Sequence, residues 1–409
     1  MKSELSFVVV EDDGATATVV RKILENAGHK VEVVLDPTAA LEIVLKVKPD
    51  VVITDIMMPG MDGLEVCRRL RSVPELKHVK IVVLSAKGYE ADRAQAMAMG
   101  ADGMINKPFD AKSLVSTILE MISDAIAVRY WGVRGTLPIP GKRSLRYGGN
   151  TSCFTLELPK DQLFILDAGT GIRELSNYLL ATRHGPISAK LFVSHPHWDH
   201  INALPFFTPL FFPGNEFEVF GAPQGAMTMR ELMAAQLDGV HSPIALRNFG
   251  ARVFFRNLSE EKFTVGDVQV STMYLAHPGL SLGYRFDYRG KSFCYITDNE
   301  LHLPGAPQFN QEFRDHLTGF VKGADILLTD STYTDDEYPK RVNWGHSAVG
   351  QVAALAHEAG VKELQLFHHD PDQSDDDIDR KLESAQATLA KLGSSVVCTA
   401  PAEGEVRRF

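Results

Sequence analysis

Residues 191–200 read LFVSHPHWDH, an apolar strand followed by a loop rich in metal-ligand residues. His195, His197, Asp199 and His200 lie within this loop, so it can direct several nitrogens and an oxygen at one point. Borderline-soft ions such as Zn²⁺ suit that mixture of donors. A lone histidine is usually structural, but four ligand-type residues at this spacing predict a metal site.

Further ligand candidates follow apolar strands downstream. His277, Asp298 and His368 each stand directly after such a strand. His369 adjoins His368 and competes for the same role, because strand phase alone does not separate the two. With the four residues of the loop these make seven ligands, enough for two metal ions with an open or water-bridged position.

The strands around these residues occur in hairpin-like groups. The predicted strands are Cys153–Leu158 with Leu163–Asp167, and Val268–Ala276 with Leu282–Tyr288 and Ser292–Thr297. Helical patterns follow over Ser347–Ala359 and Asp376–Leu392. Strands that run together, followed by helices, predict two sheets packed face to face with helices outside.

The N-terminal part has a different rhythm. Five apolar runs alternate there with amphipathic segments: Phe7–Val10, Val31–Val34, Val51–Ile53, Ile81–Leu84 and Met104–Ile105. This α/β alternation predicts a doubly wound, five-stranded parallel sheet with helices on both faces. The rhythm ends after Ile122, so we place the domains at residues 1–123 and 124–409.

Polar side chains follow four of these N-terminal strands. Glu11 and Asp12 follow the first, Asp55 the third, Ser85 the fourth and Lys107 the fifth. One acid at a strand end usually caps a turn, but five matching positions at one sheet edge favour a site. Clustered carboxylates need a neutralising cation, and hard oxygen ligands favour Mg²⁺.

This first domain resembles the receiver domain of bacterial response regulators in VVED, TDIMMPGMDG, LSAK and KPF, in that order and at the family's spacing. The resemblance implies a histidine kinase or another phosphodonor as partner, and a cis bond at Lys107–Pro108. Met104 stands where many receivers carry an aromatic switch residue. The implied site residues are the phosphoacceptor Asp55, the Mg²⁺ ligands Glu11, Asp12 and Asp55, and the phosphate-contacting Ser85 and Lys107.

The second domain is similar to the metallo-β-lactamase superfamily in HPHWDH, AHP, YITD, GHS and LFHHD, and in its opening GVRGTLPIPG and RYGGNTS. The phosphodiesterase-like branch, which includes the tRNA 3′-end-processing ribonucleases, is the nearest. The resemblance implies a four-layer αββα fold. It assigns His195, His197 and His277 to one metal, Asp199, His200 and His368 to a second, and Asp298 to both, with Asp199 also as a proton acceptor.

His346, in NWGHSAV, is not needed as a ligand. By resemblance it contacts the scissile phosphate or protonates the leaving oxygen; the alternative is a residue of a helix N-terminal turn. Redox di-iron relatives carry Glu where this chain has His197, and no flavin-type domain follows. Hydrolysis is therefore favoured, with Zn²⁺ expected in the site and manganese or iron as alternatives.

Recognition elements are less distinct in the sequence. The Phe-rich segment Leu204–Phe212 either stacks on a base or belongs to the core. The amphipathic segment Met227–Leu237, followed by DGVHSPI, is interpreted as a lid or a homodimer contact. The basic arm of the tRNA-processing relatives is not evident, which favours a small nucleotide diester, such as a cyclic nucleotide, over large RNA.

Composition excludes several other functions. The net charge is −10 and neither domain is basic, which disfavours DNA and other nucleic-acid backbones as partners. No run approaches the roughly 20 apolar residues of a membrane span. Four widely spaced cysteines without a CxxC pair suggest buried thiols in a reducing cytoplasm.

Three functions fit these patterns. We expect a phosphodiesterase that is controlled by phosphorylation of Asp55. An ester, thioester or lactone hydrolase on the same dimetal site is the second possibility. A signalling adaptor without catalysis is the third, and the complete set of seven ligands argues against it.

Overall fold

The computed structural model describes residues 4–86, 90–159, 161–183, 185–237, 239 and 243–409. Lys87 of the LSAK motif lies outside the described residues, as do 238 and 240–242 of the predicted lid or dimer segment. The chain divides into two compact units, one comprising Met1–Ala125 and the other Ile126–Leu158 with Gln162–Phe409. No helix among the described residues has the length and apolar character needed to cross a membrane.

The first unit alternates strands and helices. Its strands are β1 (Ser6–Val10), β2 (Lys30–Val34), β3 (Val51–Asp55), β4 (Lys80–Ser85) and β5 (Gly103–Asn106). Its helices are α1 (Gly14–Asn26), α2 (Ala40–Val47), α3 (Gly63–Arg71), α4 (Glu90–Ala98) and α5 (Leu114–Ile122). The strands form one parallel sheet in the order β2-β1-β3-β4-β5.

Side-chain alternation explains why this sheet is covered on both faces. Successive side chains of a strand point to opposite faces, so Val8 and Val10 enter one apolar cluster while Phe7 and Val9 enter the other. Both faces of β1 are therefore apolar, as expected for a parallel strand between helices. The predicted doubly wound, five-stranded sheet is confirmed.

The second unit contains two sheets of seven strands each. The strands of the first are β6 (Ala127–Gly132), β7 (Cys153–Leu158), β8 (Gln162–Leu166), β9 (Ser188–Phe192), β10 (Glu216–Gly221), β11 (Arg252–Asn257) and β19 (Val406–Arg408). Those of the second are β12 (Lys262–Val265), β13 (Val268–Tyr274), β14 (Leu282–Tyr288), β15 (Lys291–Ile296), β16 (Ile326–Asp330), β17 (Glu363–Phe367) and β18 (Val397–Thr399). Their orders are β11-β10-β9-β8-β7-β6-β19 and β12-β13-β14-β15-β16-β17-β18.

Six helices accompany these sheets: α6 (Ile172–Thr182), α7 (Trp198–Ile201), α8 (Met229–Ala235), α9 (Gln311–Val321), α10 (Val349–Ala359) and α11 (Asp375–Lys391), counted among the described residues. One apolar cluster joins the two sheets, with Phe154 and Tyr295 in it. A second lies between the first sheet and α6 and α8, and a third between the second sheet and α9, α10 and α11. The predicted four-layer αββα arrangement is confirmed.

Local details differ from the sequence prediction at two places. The helix expected from Ser347 begins at Val349, because the side chain of Gln351 accepts the Ala348 N–H and caps the chain while it is still extended. The Phe-rich segment forms short 3₁₀ turns, with Phe207 buried and Phe206 exposed. It therefore contributes mainly to the core.

Candidate metal centre

Loops at the carboxyl ends of strands from both sheets carry the centre. The polar side chains concerned follow β8 (Asp167), β9 (His195, His197, Asp199 and His200), β13 (His277), β15 (Asp298), β16 (Asp330) and β17 (His368). Since the two sheets face one another, their strand ends bring these residues together although they lie between positions 167 and 368 of the sequence.

The first group of ligand atoms comes from His195, His197, His277 and Asp298, all within 4.8 Å of one another. Asp298 Oδ2 lies 3.5 Å from His195 Nε2 and 3.7 Å from His277 Nε2. His277 Nε2 lies 3.1 Å from His197 Nδ1. Three imidazoles and one carboxylate oxygen thus surround one point.

The second group comprises Asp199, His200, Asp298 and His368, again within 4.8 Å of one another. Asp298 contributes its other oxygen: Oδ1 lies 3.2 Å from His200 Nε2 and 3.1 Å from His368 Nε2. Asp199 Oδ2 lies 3.2 Å from each of the same two nitrogens. Asp298 therefore stands between the two groups with one oxygen turned to each.

Two divalent ions fit this donor set. The Nε2 atoms of His195 and His200 are buried and have no hydrogen-bond partner in the described part of the chain. Buried polar atoms are nearly always partnered, so these two nitrogens need a ligand outside the protein. Imidazole and carboxylate donors in two groups of four match the coordination that Zn²⁺ and related ions accept.

The electrostatics keep the carboxylates ionised. Burial would raise the pKa of Asp298, but the imidazoles of His368, His200 and His195 outweigh it and hold that pKa well below its usual value. Burial lowers the pKa of His195 well below its usual value, so this ring is neutral and offers a lone pair. Burial would lower the pKa of His200, but the carboxylates of Asp199, Asp298 and Asp167 together raise that pKa well above its usual value.

Hydrogen bonds behind the rings set their orientation. Asp167 Oδ2 lies 2.7 Å from His200 Nδ1, which directs the Nε2 lone pair of that ring to the centre. The carbonyl oxygen of Gly345 lies 3.0 Å from His277 Nδ1 and likewise directs the Nε2 lone pair of His277 to the centre. Asp167 also accepts from the Ser194 N–H and from the Tyr295 hydroxyl, so it is fixed by the core.

Sequence analysis assigned no role to Asp167, although it is an acid at a strand end like Asp298. Its position after the apolar residues of β8 was the available signal. The same is true of Asp330, the last residue of β16. Neither belongs to a motif rich in ligand residues, so the sequence has no pattern that singles either of them out.

The structure separates His368 from His369. His368 takes a left-handed backbone conformation at φ 59° and places its ring in the second ligand group. The ring of His369 lies instead near Tyr147, with centroids 6.3 Å apart. A Cβ at Gly135 would come within 2.2 Å of the His368 ring, so only glycine fits at that position.

The GVRGT segment holds Asp199 in place. The Thr136 N–H donates to Asp199 Oδ2 over 2.7 Å. Arg134 is fully buried and donates to the Gly148 and Gln373 carbonyls and to Asp375 Oδ1. These contacts anchor the segment from behind, which accounts for a buried arginine in this position.

His346 lies beside the second group and is paired with Asp330. Its Nδ1 is 2.9 Å from Asp330 Oδ2, and its ring stacks on His368 with centroids 5.0 Å apart. Burial alone would lower its pKa, but Asp330, Asp298 and Asp199 raise the pKa to about 9. His346 is therefore held beside the second group by a buried carboxylate, Asp330.

The two ligand groups differ in exposure. All four residues of the second group are buried, whereas His197 is exposed and His277 half-buried in the first. A reactant therefore reaches the centre from the side of His197 and His277. Trp198 follows His197 on this side and is itself exposed.

The receiver unit gathers its own predicted residues. Glu11, Asp12 and Asp55 offer carboxylate oxygens within 4.8 Å of one another. Lys107 Nζ lies 2.7 Å from Glu11 Oε2 and 3.2 Å from Asp55 Oδ1. Burial raises the pKa of Glu11, with the nearby Asp55 charge in the same direction. Ser85 ends β4, buried at the same sheet edge.

Two smaller expectations concern the receiver backbone and core. The Lys107–Pro108 bond is cis, as predicted. Met104 is buried in an apolar cluster with Val83 and Ala101. At this position the chain has methionine in place of the aromatic switch residue of many receivers. A Cβ at Gly63 would lie 2.0 Å from the Asp55 carbonyl oxygen, so the first position of α3 requires glycine.

Fold and ligand groups together define a metal-binding protein of the β-lactamase type joined to a receiver. The sequence profile of the beta-lactamase superfamily domain matches residues 163–369, just over half of the chain. The chain belongs to the beta-lactamase superfamily. The profile of the response regulator receiver domain matches residues 7–119, and the first unit is a receiver domain. Both resemblances inferred from the motifs are confirmed.

Individual relatives cover separate parts of the chain. The phosphate regulon transcriptional regulatory protein PhoB of Rhizobium meliloti (strain 1021) is 40% identical over 118 residues, 29% of this chain and 52% of the relative. The probable transcriptional regulator ycf29 of Porphyra purpurea is 34% identical over 117 residues, 29% of this chain and 56% of the relative. The chain thus spans about half the length of these curated relatives.

A solved structure covers the larger part. The metallo-beta-lactamase fold protein YhfI from Bacillus subtilis is 18% identical, with a TM-score of 0.50, and covers 70% of this chain and 100% of that chain. This similarity shows the fold of the second unit. The fold implies divalent metals, and the two ligand groups described above are where this chain would hold them.

Proposed function

We propose that this protein is a two-metal phosphodiesterase that cleaves a small nucleotide diester, and that phosphorylation of Asp55 controls its turnover. The observation that carries this proposal is the pair of ligand groups sharing Asp298, with the His346–Asp330 pair directly alongside. A phosphodiester is an anion whose cleavage releases an alkoxide or phenolate. A site with two cations and a protonated imidazole matches both requirements.

The metals are assigned to the seven predicted ligands. His195, His197 and His277 would hold the first ion, Asp199, His200 and His368 the second, and Asp298 both. When bound, such ions supply Lewis acidity that lowers the pKa of a water and offsets negative charge on a phosphoryl group. Zn²⁺ is the proposed occupant because imidazoles dominate the donor set, with Mn²⁺ or iron as alternatives.

The remaining steps belong to side chains of this chain. His346 donates a proton from Nε2 to the leaving oxygen, while Asp330 holds Nδ1 and keeps the ring cationic. Asp199, whose Oδ2 accepts the Thr136 N–H, also receives the proton of the attacking water. The residues of the second group are buried and exclude bulk water, so a reactant enters from the side of His197. Inside the site it lies along Asp298, between the two ligand groups.

The receiver supplies the control. Glu11, Asp12 and Asp55 would hold Mg²⁺, and Asp55 would accept a phosphoryl group from a histidine kinase or another phosphodonor. Ser85 and Lys107 would contact the phosphoryl oxygens. The added charge, about −1.5 to −2, acts on the receiver surface and changes hydrolase turnover.

Hydrolysis of bis(p-nitrophenyl) phosphate by the full chain tests the catalytic part. We expect turnover that a chelator abolishes and Zn²⁺ or Mn²⁺ restores. A parallel panel of p-nitrophenyl acetate, a thioester and a lactone should show far lower kcat/KM. Metal-dependent turnover of those esters without turnover of the diester would contradict the phosphodiesterase assignment.

Acetyl phosphate tests the control. Incubation with acetyl phosphate and Mg²⁺ should change the kcat of the wild-type chain, and Asp55→Ala should remove the change. Asp36→Ala, at an exposed acid of the same unit, serves as the matched control. Equal responses of Asp55→Ala and the wild type would contradict control through Asp55.

A further inference from the structure

Large apolar side chains are exposed on the loops that carry the metal ligands. Trp198 is 80% exposed and stands between His197 and Asp199. Trp344 is 56% exposed and stands two residues before His346. Exposed tryptophans are uncommon on a soluble surface without a ligand, because each leaves a large apolar area in water. Their place beside the centre indicates a binding role.

Each tryptophan is adjacent in sequence to a residue of the centre or to a residue that contacts one. Trp198 directly follows His197, the exposed ligand. Trp344 precedes Gly345, whose carbonyl oxygen lies 3.0 Å from His277 Nδ1. His197 and His277 in turn lie 3.1 Å apart at their nearest nitrogens. Trp198 is thus bonded to one of two neighbouring ligands, and Trp344 to a residue whose carbonyl oxygen contacts the other.

Trp344 also presents a charged partner. The guanidinium of Arg341 lies over its ring, 4.7 Å from the centroid, and 5.9 Å from the centroid of Tyr333. Tyr333 in turn meets the edge of His346 at 5.9 Å. The contacts of the Arg341 side chain within the described part of the chain are these two rings, with no carboxylate among them. The guanidinium is therefore available to an anionic ligand near the centre.

We infer that Trp198 and Trp344 form a stacking subsite that holds the planar base of the diester, with Arg341 available to an oxygen of its sugar or phosphate. This inference rests on the proposed function and deepens it by naming the group that is recognised. Flat indole faces and a stacked guanidinium suit a planar base, which every natural nucleotide carries. In the Phe-rich segment Phe207 and Leu210 are buried, and the exposed Phe206 and Phe212 are not adjacent in sequence to any of the seven predicted metal ligands.

Two substrates that differ only in the base test the inference. Thymidine 5′-(p-nitrophenyl phosphate) and its abasic analogue, 1,2-dideoxyribose 5-(p-nitrophenyl phosphate), share the sugar, the diester and the leaving group, so their ratio of kcat/KM isolates the base. We expect the wild type to prefer the thymidine compound by at least roughly 10-fold. Trp198→Ala and Trp344→Ala should each lower that preference about 5-fold or more.

Conservative variants distinguish stacking from simple apolar contact. Trp344→Phe should keep most of the base preference and Trp344→Leu should lose it, because only phenylalanine retains a flat π face. Phe254→Ala, at an exposed aromatic residue on β11, is the matched control. Equal preference in the Leu and Phe variants, or an unchanged ratio in both alanine variants, would overturn the inference.

A binding measurement keeps the inference separate from catalysis. The chain has three tryptophans, and Trp131 is buried. Thymidine 5′-monophosphate should quench the fluorescence of the metal-loaded wild type, and the quenching should fall in Trp198→Phe and Trp344→Phe. Deoxyribose 5-phosphate, which lacks the base, should not quench. If quenching occurs but neither diester is hydrolysed, the proposed function fails while the subsite stands. If the diesters are hydrolysed without quenching and without base preference, only the subsite fails.

Discussion

Both units gather acidic side chains where strands end, but they balance the resulting charge differently. In the receiver unit, Lys107 Nζ lies within 3.2 Å of Asp55 and within 2.7 Å of Glu11. In the second unit, imidazoles surround Asp199 and Asp298, and no described lysine or arginine pairs with either. The receiver cluster contains the ammonium of Lys107, so it tolerates the loss of an ion. The cluster of the second unit has imidazole nitrogens without a partner among the described residues, so it depends on its ions.

A half-buried lysine, Lys107, and a fully buried one, Lys381, show the same contrast. Burial would lower the pKa of Lys107, but Glu11 and Asp55 raise it above its usual value. Lys381 is fully buried and donates only to the Ser331 and Thr332 carbonyls among the described residues, so burial lowers its pKa to about 7. A buried ammonium is thus easy to keep charged beside carboxylates and hard to keep charged beside carbonyls.

The largest expected effect is the loss of Asp298, since both ligand groups use it. Asp298→Ala should lower kcat on bis(p-nitrophenyl) phosphate at least about 1,000-fold, because several kcal/mol of transition-state stabilisation depend on the metals. Asp315→Ala, at an exposed acid on α9, is the control. If Asp298→Ala retained more than a tenth of wild-type kcat, the site of the second unit would not depend on its ions, and its contrast with the receiver site would be wrong.

The His346–Asp330 pair comes next, because it acts without holding an ion. His346→Ala should lower kcat roughly 100- to 10,000-fold and leave the metal content unchanged. Asp330→Asn should lower kcat roughly 10- to 100-fold, as expected when the partner that orients a ring is lost. Steady-state kinetics and metal analysis on the same preparations check both values. A fall in metal content equal to the fall in kcat would assign the pair a structural role instead.

How far the sequence predicted these features depends on their chemistry. The seven ligands stood out because His and Asp were clustered or followed apolar strands, and the sheets followed from the strand rhythm. Asp167 and Asp330 were missed, since a single acid at a strand end has no distinct pattern and acquires its role only through His200 and His346 in space. Lys381 was missed because a lysine on an amphipathic helix is usually exposed.

Lys381 predicts a pH dependence of stability. Its pKa falls from the unfolded value of 10.5 to about 7 in the fold, so between those pH values the unfolded chain binds more protons. The unfavourable contribution is full below pH 7 and disappears as the pH rises to 10.5. The free energy of unfolding of the wild type, relative to Lys381→Met, should rise by up to about 1.4 kcal/mol per pH unit in this range.

Urea denaturation of both chains at several pH values checks this slope. Lys391→Met, at the exposed last residue of α11, controls for the general effect of removing a lysine. A difference between the wild type and Lys381→Met that stays constant from pH 7 to 10 would contradict the account of Lys381.

The smallest effect concerns the receiver ion. At a Mg²⁺ concentration ten times its dissociation constant, Mg²⁺ should stabilise the receiver transition by about 1.4 kcal/mol. Asp12→Asn should remove most of this stabilisation because Asp12 is an exposed ligand with no other partner role. Scanning calorimetry with and without Mg²⁺ measures it, with Asp36→Asn as the control. Equal stabilisation of Asp12→Asn would show that Mg²⁺ acts elsewhere.

The central claim is that seven side chains from both sheets hold two ions on either side of Asp298. Anomalous diffraction at the zinc absorption edge, on crystals of the Zn²⁺-loaded full chain, tests it most directly. The account predicts two peaks, one among His195, His197 and His277 and the other among Asp199, His200 and His368, with Asp298 between them. A single peak, or peaks away from Asp298, would contradict it.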